Sequence, residues 1–244
     1  MADFGERADA PPIGALRIAA AWGVHLFTGS GAVVAFLAWR CIAAGRFGDA
    51  FRWLAVAMLI DCVDGTLARA VEVKRVLPWF DGTKLDDIID YLTYVVLPTV
   101  LLHEARLLPD GDVGLGCAAA VLLASAYGFC RTDAKTTDHY FRGFPSYWNV
   151  FAFYAFVLHL SSHATAIWIL ALAALVFAPL KFLYPSRAPR FRKLSLGLGA
   201  AWGVVTIPAL WMTPDAPAAL IWASLLYPAY YVGMSLWLQA TGRA

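Results

Sequence analysis

Charge is what this 244-residue chain has least of: 15% of its residues are Asp, Glu, Lys or Arg, where an ordinary soluble domain carries about 25%. With a hydrophobic share of 61%, that scarcity excludes a soluble single domain. The same abundance of apolar surface excludes a disordered chain. Net charge is only +2, from 19 basic and 17 acidic residues, too little to suggest nucleic acid as a partner. Cysteine is sparse too. Cys41, Cys62, Cys117 and Cys130 form no C-x-x-C pair and have no His at zinc spacing, so they read as small buried hydrophobes rather than metal ligands. Internal repeats and low-complexity stretches are absent. The first residues carry Asp3, Glu6 and Asp9 and lack the order of a cleavable signal, so the amino terminus is expected to be retained.

What is abundant is apolar sequence in runs. Eight can be read: Val24 to Ala44, Ala50 to Ala70, Leu85 to Leu108, Val113 to Arg131, Tyr147 to Leu160, Ala164 to Leu183, Leu194 to Met212 and Pro217 to Gln239. At about 20 residues per helical span, eight spans use about 160 residues. The expected fold is therefore an all-α integral membrane protein, a single transmembrane domain over residues 1–244 with about eight transmembrane helices. The fifth run is short and separated from the sixth only by Ser161, Ser162 and His163; the pair reads as a tight hairpin or one broken helix. Pro11 to Trp22 reads as an amphipathic helix on the membrane surface. If both termini are cytoplasmic, fifteen of the 19 basic residues fall inside and only Arg40, Arg46, Arg52 and Arg106 outside. The positive-inside rule favours that orientation. It puts the connection from Arg69 to Lys84 in the cytoplasm.

Ionisable groups inside a membrane segment are read as functional by default, and here they gather in one place. The second run ends DCVDGTLAR, with Asp61, Asp64, Gly65, Ala68 and Arg69, and the third begins DGTKLDDIID, with Gly82, Asp86, Asp87 and Asp90. Asp61 and Asp64 are spaced i,i+3 and Asp86 and Asp90 i,i+4, so each pair projects from one side of its helix. Facing helices would converge four carboxylates, which cannot all stay ionised in a low dielectric without counter-charge. Two divalent cations balance them, and hard oxygen ligands point to magnesium or manganese rather than zinc. Such a pair suits phosphoryl transfer. Gly65 and Ala68 leave space for a ligand near the backbone, and Arg69 is a natural phosphate ligand.

The string from Asp61 to Asp90 resembles the signature of the CDP-alcohol phosphotransferases, D-x-x-D-G-x-x-A-R followed by G-x-x-x-D-x-x-x-D, at all eight fixed positions. Twelve residues separate Arg69 from Gly82, where most of the family has eight. That spacer, the eight runs and the stretch GFPSYWN from Gly143 to Asn149 are similar to the bacterial phosphatidylcholine synthases within the family. The resemblance implies transfer of the phosphatidyl group of CDP-diacylglycerol to choline with release of CMP. It implies that Asp61, Asp64, Asp86 and Asp90 hold two metal ions, that Asp90 is the base, and that Gly65, Ala68, Arg69 and Gly82 contact the cytidine diphosphate. It further implies a homodimer in the bacterial inner membrane with its active site facing the cytoplasm.

A quaternary ammonium is held by aromatic faces. Tyr94, one turn beyond Asp90, is the first candidate, with Tyr91, Trp148 and, from cytoplasmic connections, Trp79, Phe80, Phe144 and Tyr147; interfacial aromatics are also expected without any ligand. Arg131 and Arg142 could bind the lipid phosphate, although topology alone accounts for them. Arg187, Arg190, Arg192 and Lys193 mark orientation and attract anionic headgroups. Asp87 departs from the face of Asp86 and Asp90 and reads either as a carboxylate behind the metal ligands or, by preference, as simply solvated. His25 and Thr28 could reach the nucleotide or simply pack. Two alternatives remain: a related acceptor such as serine, and an ion-coupled transporter, whose carboxylates would sit nearer the midplane.

Overall fold

A computed structural model describes residues 14–134, 136–138, 140–185 and 191–241. Arg7, Lys135, Arg187, Arg190 and Arg243, and residues 11–13 of the expected surface helix, lie outside the described residues. The helices are α1 (Ala15–Ala43), α2 (Phe47–Ala70), α3 (Val73–Val76), α4 (Gly82–Asp90), a π-helical turn (Tyr91–Val96), α5 (Leu97–Glu104), α6 (Gly111–Cys130), α7 (Trp148–Val157), α8 (Ser162–Phe177), α9 (Arg192–Met212), α10 (Ala218–Ser224) and α11 (Leu226–Ala240). The π turn joins α4 to α5, and α10 runs into α11, so among the described residues eight rods lie on the eight apolar runs. Among the described residues four are long and apolar enough to cross a membrane: α1, α6, α9 and the 218–240 rod. α2 is 24 residues long but carries Asp49, Arg52, Asp61, Asp64 and Arg69.

α1 begins at Ala15 and continues unbroken into the first span. Residues 15–22 are therefore the opening turns of that rod rather than a separate surface helix. At 29 residues it is about 43 Å long, more than the roughly 30 Å of a hydrocarbon core. α1 and α2 form an antiparallel hairpin, turned at Gly45 (φ +68°), where Arg46 N–H donates to the Cys41 carbonyl. α4 crosses α1 closely: a Cβ at Gly31 would stand 2.7 Å from Cγ2 of Ile89.

The fifth and sixth runs are two helices, parted by His159 (φ +52°) and the Ser161 cap on the Ala164 N–H. α8 stops at Phe177, ahead of Pro179, because the residue preceding a proline is driven out of the helical region. The chain then enters an element that the apolar pattern does not announce. Strand β2 (Lys181–Leu183) pairs antiparallel with β1 (Tyr140–Arg142), Phe182 facing Phe141. Ser235 and Gln239 of α11 accept from the Leu183 and Lys181 N–H groups. The main core joins α1, α2, α5, α6, α7 and α8 around Leu101, Val121, Trp148 and Ile169. Cys41 and Cys117 are buried as expected, whereas Cys62 and Cys130 are exposed.

Candidate active site

Three elements build the site. α2 delivers Asp61 and Asp64 from its last turns. α4 starts afresh after the spacer, with the Asp81 carboxylate capping the Thr83 and Lys84 N–H groups, and delivers Asp86 and Asp90. α1 lies against both. The spacer packs beneath α1: Val73, Val76 and Leu77 are buried with Ala21 and Val24, and Ala68 and Phe80 close the cluster. The twelve residues thus form a small hydrophobic foot that sets where α4 begins.

Carboxylate oxygens of Asp61, Asp86 and Asp90, all half-buried, lie within 4.8 Å of one another. Asp64 is not in that group. An i,i+3 pair is offset by about 60° around a helix, and Asp64 turns toward α1, where its buried Oδ2 accepts from Thr28 Oγ1 at 2.8 Å. The expected convergence of four acids is therefore a cluster of three with a fourth held beside it. Asp87 is half-buried. Three hard oxygen donors from two rods fit a divalent cation, which takes carboxylate ligands and balances their charge.

The π turn follows Asp90 directly. In a continuous α-helix the Pro98 ring would clash with the carbonyl of Tyr94, four residues earlier, and widening the turn relieves that. Tyr94 is buried within it and donates to Asp61 Oδ2 at 2.7 Å, so the first aromatic candidate sits on the acids. Tyr91 faces elsewhere, donating to the Leu122 carbonyl of α6 and packing edge-on to Phe129. Trp148 is fully buried with its indole N–H on Ser125, a core residue rather than part of the acidic site. The ring next to Tyr94 is Tyr147, with centroids 6.1 Å apart, and Tyr231 of α11 stands 6.0 Å beyond it. No spacing in the sequence connects Tyr231 with Asp90; only the fold brings that last rod here.

Gly65 and Arg69 lie together, since a Cβ at Gly65 would stand 3.3 Å from Nη1 of Arg69, whose Nη2 bonds Thr66 Oγ1. Gly82 packs instead on His25. Arg131 and Arg142 come together on Asp133, at 2.7 and 3.0 Å from the Arg131 fork and 2.6 Å from Arg142. The Arg131 hydrogen bonds, aided by Arg142, lower the Asp133 carboxyl to about 2.

Fold and site define the class: a polytopic helical membrane enzyme of the CDP-alcohol phosphotransferase type. No protein-family model matches the chain. Curated relatives are more specific. The chain is 40% identical over 224 residues to a phosphatidylcholine synthase of Pseudomonas aeruginosa, covering 91% of this chain and 93% of the relative. It is 38% identical over 236 residues to that of Legionella pneumophila, covering 94% and 91%, and 32% identical over 225 residues to that of Borreliella burgdorferi, covering 91% and 96%. The chain belongs to the phosphatidylcholine synthase family.

Proposed function

We propose that this chain transfers the phosphatidyl group of CDP-diacylglycerol to choline and releases CMP. The observation that carries the reading is the gathering of Asp61, Asp86 and Asp90 within 4.8 Å, in a chain whose relatives are named phosphatidylcholine synthases. Asp61, Asp86 and Asp90 would hold the two divalent ions, magnesium or manganese, with Asp64, turned toward Thr28 of α1, as the fourth ligand of the set. When bound, the ions offset the charge of the diphosphate and of the leaving phosphate oxygen. Gly65, Ala68, Arg69 and Gly82 take the cytidine diphosphate, the Arg69 fork lying on phosphate oxygens.

A choline hydroxyl is a weak nucleophile, so a carboxylate must accept its proton as it attacks. Asp90 is that base. The choline oxygen forms a bond to the lipid-bearing phosphorus, the bond from that phosphorus to the CMP oxygen breaks, and the proton passes to an Asp90 carboxylate oxygen. The ring faces of Tyr94 and Tyr147 hold the trimethylammonium. Arg131 and Arg142 share one carboxylate between two guanidinium groups, and the remaining positive charge attracts the lipid phosphate. Eight rods span a bacterial inner membrane as a homodimer, with both termini and the acids on the cytoplasmic side.

The test is purified protein in detergent–lipid micelles with CDP-diacylglycerol and, in turn, choline, serine, inositol and glycerol phosphate, assaying CMP release. Choline-dependent release is expected. Turnover with serine and none with choline would replace the acceptor, and choline accumulation in vesicles lacking CDP-lipid would identify a carrier instead.

A further inference from the structure

His25 is a buried histidine that no step above uses. Its imidazole lies in the space left by the missing side chain of Gly82: a Cβ there would stand 2.5 Å from Cε1, 3.1 Å from Nδ1 and 3.7 Å from Nε2. Phe80 closes one face at 4.3 Å between centroids, and Trp22 stands edge-on at 5.9 Å. The ring is thus fixed in place. Its Nε2 is nonetheless fully buried and has no hydrogen-bond partner among the described residues. A buried polar nitrogen left unmet is costly, and a phenyl ring would fill an aromatic niche without that cost.

The location narrows what completes the bond. His25 stands one turn before Thr28 on the same face of α1, and Thr28 holds Asp64. Arg17 pairs with Glu72 further along the same hairpin, so the antiparallel register runs from Asp64 toward Ala68 as α1 runs from Thr28 toward His25. His25 therefore stands at the level of Ala68, with its ring against Gly82 and one helical turn from Thr28, which holds Asp64. A trimethylammonium offers no hydrogen bond, and the choline hydroxyl belongs at Asp90.

We propose that His25 is a nucleotide-binding residue whose Nε2 hydrogen-bonds the cytidine diphosphate moiety of the lipid substrate, with Gly82 serving as the socket for its ring. The assignment rests on the reading of the site given above. Gly82 is then glycine on account of a neighbouring side chain as well as of any ligand.

The experiment measures CMP binding to the purified full-length chain by calorimetry, alongside KM for CDP-diacylglycerol and for choline. His25→Phe keeps an aromatic ring in the niche and removes the nitrogen. It is expected to weaken CMP binding and raise KM for CDP-diacylglycerol about tenfold, the scale of one lost hydrogen bond, with KM for choline unchanged. His25→Gln restores a polar group and is expected to recover part of the loss. Gly82→Ala, by pushing the ring aside, moves the same two quantities in the same direction. Wild-type CMP affinity in His25→Phe, or an equal rise in both KM values, would overturn the assignment. Absence of CMP binding by the wild-type chain would overturn the proposed reaction itself, and this assignment with it.

Discussion

Two groups of charge show opposite uses of a carboxylate. Asp133, in the connection after α6, is bracketed by two guanidinium groups that satisfy both its oxygens. Asp61, Asp86 and Asp90 are brought instead against one another, with a tyrosine hydroxyl on one of them. The first arrangement is complete as it stands and fastens a loop. The second concentrates negative charge that favours a cation. What separates the two groups is therefore not burial, since neither is fully enclosed, but the neighbour each carboxylate is set against, a guanidinium fork in one and further carboxylates in the other.

Substitutions can break that contrast. The largest effect is expected for Asp90→Asn, which removes the base and one proposed metal ligand together: transfer should fall by roughly 10²–10⁴-fold or more, while CMP binding stays measurable. Near-normal CMP release would remove Asp90 from the chemistry. Arg69→Lys keeps the charge but loses the planar fork, and KM for CDP-diacylglycerol should rise about tenfold, or about 1.4 kcal/mol; unchanged KM would release Arg69 from the phosphate. Thr28→Val takes the donor from buried Asp64 at a cost of about 1–3 kcal/mol, so kcat should fall several-fold and thermal stability with it. The smallest effect belongs to Asp133→Asn, which should leave turnover within about twofold, in keeping with the small worth of exposed ion pairs.

Asp133 also sets a pH expectation. Its folded carboxyl is lowered from 3.8 to about 2. The stabilisation it gives is present above the unfolded value and is lost as pH falls from about 4 toward 2. The exchange protection factor of the Arg142 N–H, which donates to the Ala134 carbonyl, should fall across that window in the wild type and show no such step in Asp133→Asn.

Much of the site was legible because its signal is local. Asp61, Asp86 and Asp90 stand at helical spacings at the ends of apolar runs, and charge in such runs is rare enough to point to itself. Asp64 was legible as an acid but not in its direction. An i,i+3 pair shares a side only loosely, and α1 decides which way the second member turns. Tyr94 is marked by the turn between it and Asp90, whereas Tyr231, beyond Tyr147, comes from a rod about 140 residues away in sequence and leaves no local trace. Among the described residues a helical rod lies on each apolar run, and four of these rods are long and apolar enough to cross a membrane. The β1–β2 pair and the early end of α8 were not legible, because three-residue strands carry no period to read and Pro179 interrupts what composition alone continues. The foot formed by Val73, Val76 and Leu77 was visible only as extra length.

α1 touches both banks of the acidic centre from a single unbroken rod: Thr28 grips Asp64, His25 seats on Gly82 and Gly31 admits Ile89. Both banks thus take their position from one common part, and a substitution that shifts α1 is expected to disturb the two together.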